Sequence, residues 1–377
     1  MLTGAHLKAE LLSRGVTIAP QLLAHYGPPY LEKRRAYGNS DPLALRDATL
    51  PQEFYLLPEN LIVAVNVRED SPWSLDWDGE FFLAGPSGQR VAITFPRRPA
   101  FYDYTTDNGR ELARIATLYG GGSLGLFIYG SCALVDMGKA CQYCSIEPNH
   151  KHGVDFEKVI RPEQVEEAVE LALSDAEAPL SQVMLNGGNF RDLDRSFLYY
   201  VETVKAAERA IARSGREVEL HLIVYPPRDL ELFHELADTQ ACVAINSEVF
   251  DPDLFESYCP GKAVTAGQRH IFAALTRAAE VLGPGRAYSI IVGGLEDADA
   301  LAAPMRRLAE RGVVPVINVF HADPETPLAR HPAPPREQIV RMGEHLQGVY
   351  ADLQEVRPFY LNCGRNSIDT EAYLQLF

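Results

Sequence analysis

From Ser123 onward the hydrophobic pattern alternates regularly: SLGLFIYG, SQVMLNGG, EVELHLIVY, ACVAINSE, AYSIIVGG and VVPVINVF are apolar runs of strand length. Between them lie stretches with helical spacing, among them RPEQVEEAVELALSDA and FLYYVETVKAAERAIARSG. Near-continuous apolar strands alternating with amphipathic helices predict a parallel sheet covered by helices, because strands buried on both faces have no polar side. Six such units precede a last helix over residues 336–353 and a short apolar run, Phe359 to Cys363, that reads as a seventh strand. The expected fold is α/β, a complete or partial (β/α) TIM-type barrel.

Before residue 120 the pattern is different. A short helical start (Leu7 to Arg14) leads into a loop-rich polar stretch (Gly27 to Pro51), and LIVAVNV, FFLAG and RVAITF then read as short strands separated by turn residues. Residues 1–120 are expected to form an N-terminal, partly β appendage, and residues 121–377 the barrel domain.

Composition narrows the classes. The chain has 377 residues, 46% of them hydrophobic and 23% charged, as in soluble globular proteins. No apolar run approaches the roughly 18 residues of a membrane span, and the N-terminus shows no signal-peptide core, so a cytoplasmic protein without a membrane partner is expected. A net charge of -16 opposes a phosphate backbone and argues against nucleic acid. A small-molecule substrate fits better. The six cysteines do not form a secreted disulfide framework: three cluster within SCALVDMGKACQYC, and Cys242, Cys259 and Cys363 are scattered.

In a barrel, the residues at the C-terminal ends of the strands face the active-site mouth. After the first strand comes the loop of Cys132, Cys141 and Cys144. After the second come Asn186, Gly187, Gly188 and Asn189. The third ends at Tyr225, the fourth at Asn246 and Glu248, the fifth at Gly293 to Glu296, and the sixth at Asn318 and His321. Small and polar residues crowd one rim, as a ligand-binding mouth requires. Three thiolates on one loop suit an iron–sulfur cluster with one open iron. The residues alone leave a zinc site or unrelated buried thiols as alternatives, since C-x2-C is a weak zinc signal without a second pair.

A cysteine loop after the first barrel strand, with an aromatic residue, Tyr143, just before the final cysteine, resembles the radical S-adenosylmethionine (SAM) superfamily. Gly187-Gly188 is similar to its glycine motif after strand two, and Ser289 to Glu296 to its G-x-I-x-G-x-x-E motif after strand five. NSEVFDPDLF and VPVINVFHADPETPL resemble strands of the biotin synthase and lipoyl synthase branch. The resemblance spans about residues 120 to 363. Two positions depart from it: the spacing is C-x8-C-x2-C where the family has C-x3-C-x2-C, and Asn189 stands where the family often has Glu.

The resemblance implies a 4Fe-4S cluster on Cys132, Cys141 and Cys144. It implies SAM bound by Tyr143, Asn186, Gly187, Gly188, Asn189, Asn246, Glu248, Ile291, Gly293, Glu296 and Asn318. A reductant such as flavodoxin or ferredoxin would supply the electron that cleaves SAM to a 5′-deoxyadenosyl radical. Cys363, Tyr225 and His321 are the candidates for handling substrate, with His221 as a further pocket residue; packing is the alternative for each. Sulfur insertion would need a second cluster, and the scattered cysteines form no ligand-spacing motif for one. Hydrogen abstraction from a small molecule is therefore the expected chemistry, with sulfur insertion, methyl transfer or a non-catalytic iron–sulfur or zinc protein as alternatives.

Overall fold

A computed structural model describes residues 4–26, 30, 50–151, 158–353, 356–361 and 363–377, without the side chains of 149–151. His152 thus lies outside the described residues. Six short strands form the first sheet: β1 (Thr17–Ile18), β2 (Glu53–Leu56), β3 (Leu61–Ala64), β4 (Ser74–Trp77), β5 (Phe81–Ala84) and β6 (Arg90–Thr94), in the order β1-β4-β5-β6-β2-β3. Helix Gly4–Arg14 packs against β3, burying Leu7, Leu11 and Leu12. The runs LIVAVNV, FFLAG and RVAITF supply β3, β5 and β6 of this sheet.

The second sheet holds β7 (Ala116–Tyr119), β8 (Ser123–Tyr129), β9 (Gln182–Gly187), β10 (Glu219–Ile223), β11 (Cys242–Ala244), β12 (Ala287–Gly293) and β13 (Val313–Val319) in simple sequential order. β8 to β13 are parallel, and β7 pairs antiparallel with β8. The order is linear, so this is a partial barrel. All six apolar runs read from the sequence form its parallel strands. β7 was not anticipated, because a four-residue antiparallel edge carries too little pattern. The run Phe359 to Cys363 is not a strand: its described residues form turns, and its neighbour Ser367 makes only an isolated bridge to Asn318.

That turn segment fills the gap between the open edges. Val319 N–H donates to Asn366 O (2.8 Å) on the β13 side, and Arg365 N–H donates to Ile62 O (3.1 Å) of the appendage. Gly120, beyond β7, lies so close that a Cβ there would stand 2.0 Å from Cys363 O. A buried ion pair between Lys8 and Glu371 (2.8 Å) pins the first helix to the same C-terminal region.

Strand pleating gives the inner face its composition. Along β9 the inward positions are Gln182, Met184 and Asn186, and along β10 they continue as His221, Ile223 and Tyr225. From β11 and the residues after it come Cys242, Ala244 and Asn246, and β12 gives Tyr288, Ile290 and Val292. Polar groups thus lie at both ends of the barrel with an apolar belt between. At the N-terminal end, Phe359 closes the floor with its ring 4.5 Å from His221 and 5.0 Å from Tyr288.

Candidate active site at the C-terminal rim

A cavity of about 250 Å³ occupies the C-terminal end of the half-barrel. Cys132, Cys141, Tyr143, Cys144, Asn186, Gly187, Gly188, Asn189, Tyr225, Asn246, Glu248, Asn318, His321 and Cys363 all line it. The cysteine loop leaves β8 at a bulge, and Cys132 opens a short helix, Ala133–Asp136. Asn189 holds this turn twice: its carbonyl accepts from Ala133 N–H (2.8 Å), and its Oδ1 accepts from the Cys132 thiol (3.0 Å).

Gly188 is required here by the loop itself. A Cβ at Gly188 would stand 1.7 Å from Ser131 O, and the Tyr200 hydroxyl donates to Gly188 O (2.7 Å). The absence of a side chain therefore serves the docking of the cysteine loop, where the sequence suggested room for a ligand. Further along, the loop rests on the junction at Cys259 between two short helices, Pro252–Tyr258 and Pro260–Thr265. Gln142 N–H donates to Tyr258 O (2.8 Å), and Tyr143 Oη lies 3.3 Å from Cys259 Sγ. A Cβ at Gly261 would stand 2.4 Å from Lys139 O.

The thiols resist ionisation as they stand. A hydrogen bond with Cys259, then burial, pushes Cys141 well above the ordinary thiol value, and burial raises Cys132 and Cys144. Among the described residues no three His, Cys, Asp or Glu side chains are drawn into a metal cage. The donor set nevertheless suits iron: three thiols of one loop face a common cavity, and a bound metal would displace their protons.

Across the cavity, Asn186 Oδ1 and Asn246 Oδ1 are buried with no hydrogen-bond partner. Orphaned buried acceptors are costly and point to a donor supplied from outside the chain. Glu248 has a left-handed backbone (φ 66°), uncommon for a residue with a side chain. Its carboxylate is ion-paired with Lys262, another lining residue absent from the sequence reading. Burial works against the Lys262 charge, but the Glu248 carboxylate and neighbouring thiols outweigh it and hold the ammonium protonated. Tyr225 Oη pairs with Thr265 Oγ1 (2.8 Å). His321 Nδ1 lies 3.1 Å from Asp323 Oδ1, and Asp323 also lines the cavity.

Four expectations are corrected. Ile291 is fully buried, and by the alternation of the strand it is Ile290 and Val292 that reach the cavity. Gly293 lies off the wall, where a Cβ would meet Ile317 and Met342 within 3 Å. Glu296 accepts from Phe250 N–H (2.8 Å) and Asp251 N–H (3.0 Å), so it orients the loop after β11 from outside the cavity. His221 is at the opposite end of the barrel, beside Gln182 and Phe359. Tyr119, Arg365 and Asn366 line the cavity but were not foreseen, because they come from the edge strand and the gap-filling segment.

The site is thus a parallel half-barrel with three cysteines on the loop after its first parallel strand, facing orphaned amide oxygens on the same rim. No protein-family model matches the chain. Over 390 aligned positions, 96% of this chain and 90% of the other, it is 27% identical to a bacteriochlorophyllide c C-7(1)-hydroxylase of Chlorobaculum limnaeum. Among solved structures it is similar to methylornithine synthase, with a TM-score of 0.47, 14% identity, and 67% of this chain and 71% of that one covered. It is also similar to a radical SAM methyltransferase from Sphaerobacter thermophilus, with a TM-score of 0.46, 17% identity, and 78% and 81% covered.

Proposed function

We propose that this chain hydroxylates an unactivated C–H position of a small organic molecule, with a bacteriochlorophyllide-type macrocycle as the substrate class. Cys132, Cys141 and Cys144 would hold a 4Fe-4S cluster. Asn186, Asn189, Asn246, Glu248 and Asn318 would hold SAM. When bound and reduced by a flavodoxin- or ferredoxin-type donor, the pair supplies a 5′-deoxyadenosyl radical able to take hydrogen from carbon. The observation that carries this reading is the convergence of the three thiols and the orphaned Asn186 and Asn246 oxygens on one cavity. The near full-length similarity to a hydroxylase supports the reaction type.

The chain's own residues have separable tasks. Asn186 and Asn246 offer acceptors, already desolvated, to a ligand's ammonium or hydroxyl groups. Lys262 pairs with Glu248 at the rim and fixes a carboxylate that can accept from hydroxyls. Met184, Ile223, Ile290 and Val292 provide the apolar wall that excludes water around reactive intermediates. Tyr143 braces the loop through Cys259.

The test is anaerobic reconstitution with iron and sulfide, followed by reduction with SAM in the presence and absence of bacteriochlorophyllide c. The expected results are 5′-deoxyadenosine formation that rises with the macrocycle and a product heavier by one oxygen. A reconstituted protein that forms no 5′-deoxyadenosine under these conditions overturns the assignment.

A further inference from the structure

We infer that His321 and Asp323 form the proton-accepting pair of this cavity: Asp323 orients the imidazole, and His321 takes the proton from the water that adds to the substrate carbon. The inference rests on the hydroxylation reading and deepens it. Both residues follow β13 directly, and both line the cavity shared by the cysteine loop. His321 Nδ1 is 3.1 Å from Asp323 Oδ1, with side-chain exposures of 16% and 3%, so the carboxylate stands behind and the imidazole in front. Asp323 is fixed by its own turn, in which Thr326 donates from Oγ1 (2.8 Å) to its carbonyl.

Asp323 Oδ1 is buried and accepts no hydrogen bond as it stands, so it is the acceptor left for the ring 3.1 Å away. A turn of the imidazole that lets it donate from Nδ1–H to that oxygen leaves the lone pair on Nε2, the form needed for a base. The other carboxylate lining the cavity, Glu248, is bound to Lys262, and the Arg365 guanidinium lies beside Glu53 of the appendage. His321 is thus a base that no lining cation holds in a salt bridge among the described residues.

The step balances. Loss of a hydrogen atom leaves one unpaired electron on the substrate carbon. That electron passes to a one-electron acceptor of the ferredoxin or flavodoxin class. A water oxygen forms the new C–O bond while one O–H bond breaks, and the proton goes to His321 Nε2. In sum, the carbon radical and water give the alcohol, one proton and one electron. Asp323 touches no reacting atom in this scheme and is a positioning residue.

The experiment compares the unmodified chain with His321→Ala, His321→Gln and Asp323→Asn, each reconstituted to equal iron and sulfide content. Bacteriochlorophyllide c is the probe, in water enriched in oxygen-18. The readout is labelled alcohol formed per 5′-deoxyadenosine. The variants are expected to keep 5′-deoxyadenosine formation near the parent rate while the ratio falls roughly tenfold or more. Added imidazole is expected to raise the ratio again in His321→Ala. An unchanged ratio in the variants, or a parallel loss of nucleoside and alcohol that imidazole does not reverse, overturns the pair. If the unmodified chain itself makes 5′-deoxyadenosine but no labelled alcohol, the hydroxylation reading fails first and takes this inference with it.

Discussion

The two ends of the barrel begin from the same material and differ in how their polar groups are satisfied. At the floor, Gln182 Nε2 donates to Phe359 O (2.8 Å) and lies 3.1 Å from His221 Nδ1, while Tyr288 Oη donates to Arg357 O (3.0 Å). The segment after helix Arg336–Asp352 supplies both carbonyls, and only Gln182 Oε1 of the three side chains lacks a partner. At the rim, two strands present Asn186 and Asn246 with oxygens that no part of the described chain reaches. Polarity inside a barrel is therefore not the mark of a site. The mark is polarity that the chain leaves for something else to satisfy.

The largest expected effect breaks the rim alone. Replacing Cys132, Cys141 or Cys144 by Ala should remove the visible cluster absorbance and reduce 5′-deoxyadenosine to background, while circular dichroism stays that of the parent. Retained nucleoside formation in any of the three would remove the rim's claim to be the reaction centre. The floor should respond in the opposite way. Phe359→Ala should lower unfolding free energy by about 3–5 kcal/mol, read by denaturant melts, with turnover per cluster unchanged.

A smaller test sharpens the contrast between orphaned and satisfied groups. Asn246→Ala should weaken SAM binding by about three- to tenfold, the worth of one hydrogen bond. Thermal stability without ligand should hold or rise, since the substitution removes a buried acceptor that had no partner. A clear fall in stability would show that Asn246 belongs to the framework.

The smallest effect is a pH dependence at the floor. Burial holds His221 below its ordinary value, against the pull of Glu219, so the folded chain keeps the ring neutral. The unfolded chain takes up that proton as pH falls through about 6.5. The contribution of His221 is therefore complete above that value and lost as pH falls from it towards the folded value. His221→Gln should flatten the stability profile between pH 7 and 5.5 by at most about 1.4 kcal/mol per pH unit, measured by melts at each pH. A profile as steep as the parent's would assign the acid sensitivity to other groups.

Much of this was legible before any coordinates. Six apolar runs such as SQVMLNGG and AYSIIVGG became six parallel strands, because strands buried on both faces leave an unbroken hydrophobic trace. The rim residues followed from strand ends and loop positions. Residues brought in by tertiary packing were not legible. Cys259 and Lys262 come from the short helix Pro260–Thr265 and its N-cap, which pack under the cysteine loop, and neither has a local pattern that states its destination. Arg365 and Asn366 reach the cavity only because the sheet fails to close. His221 misled because period-two alternation places residues on a face without saying which end of the barrel they occupy.

The open edge also sets a timetable. Part of the cavity wall, from Cys363 to Asn366, is held against Ile62 and Gly120, residues translated long before it. Lys8 waits 363 positions for its carboxylate, Glu371. During synthesis the cysteine loop and all six parallel strands emerge from the ribosome before the wall that completes their pocket. Cluster insertion during translation would therefore meet a basin open on one side, and the last segment to dock would seal the cofactor in.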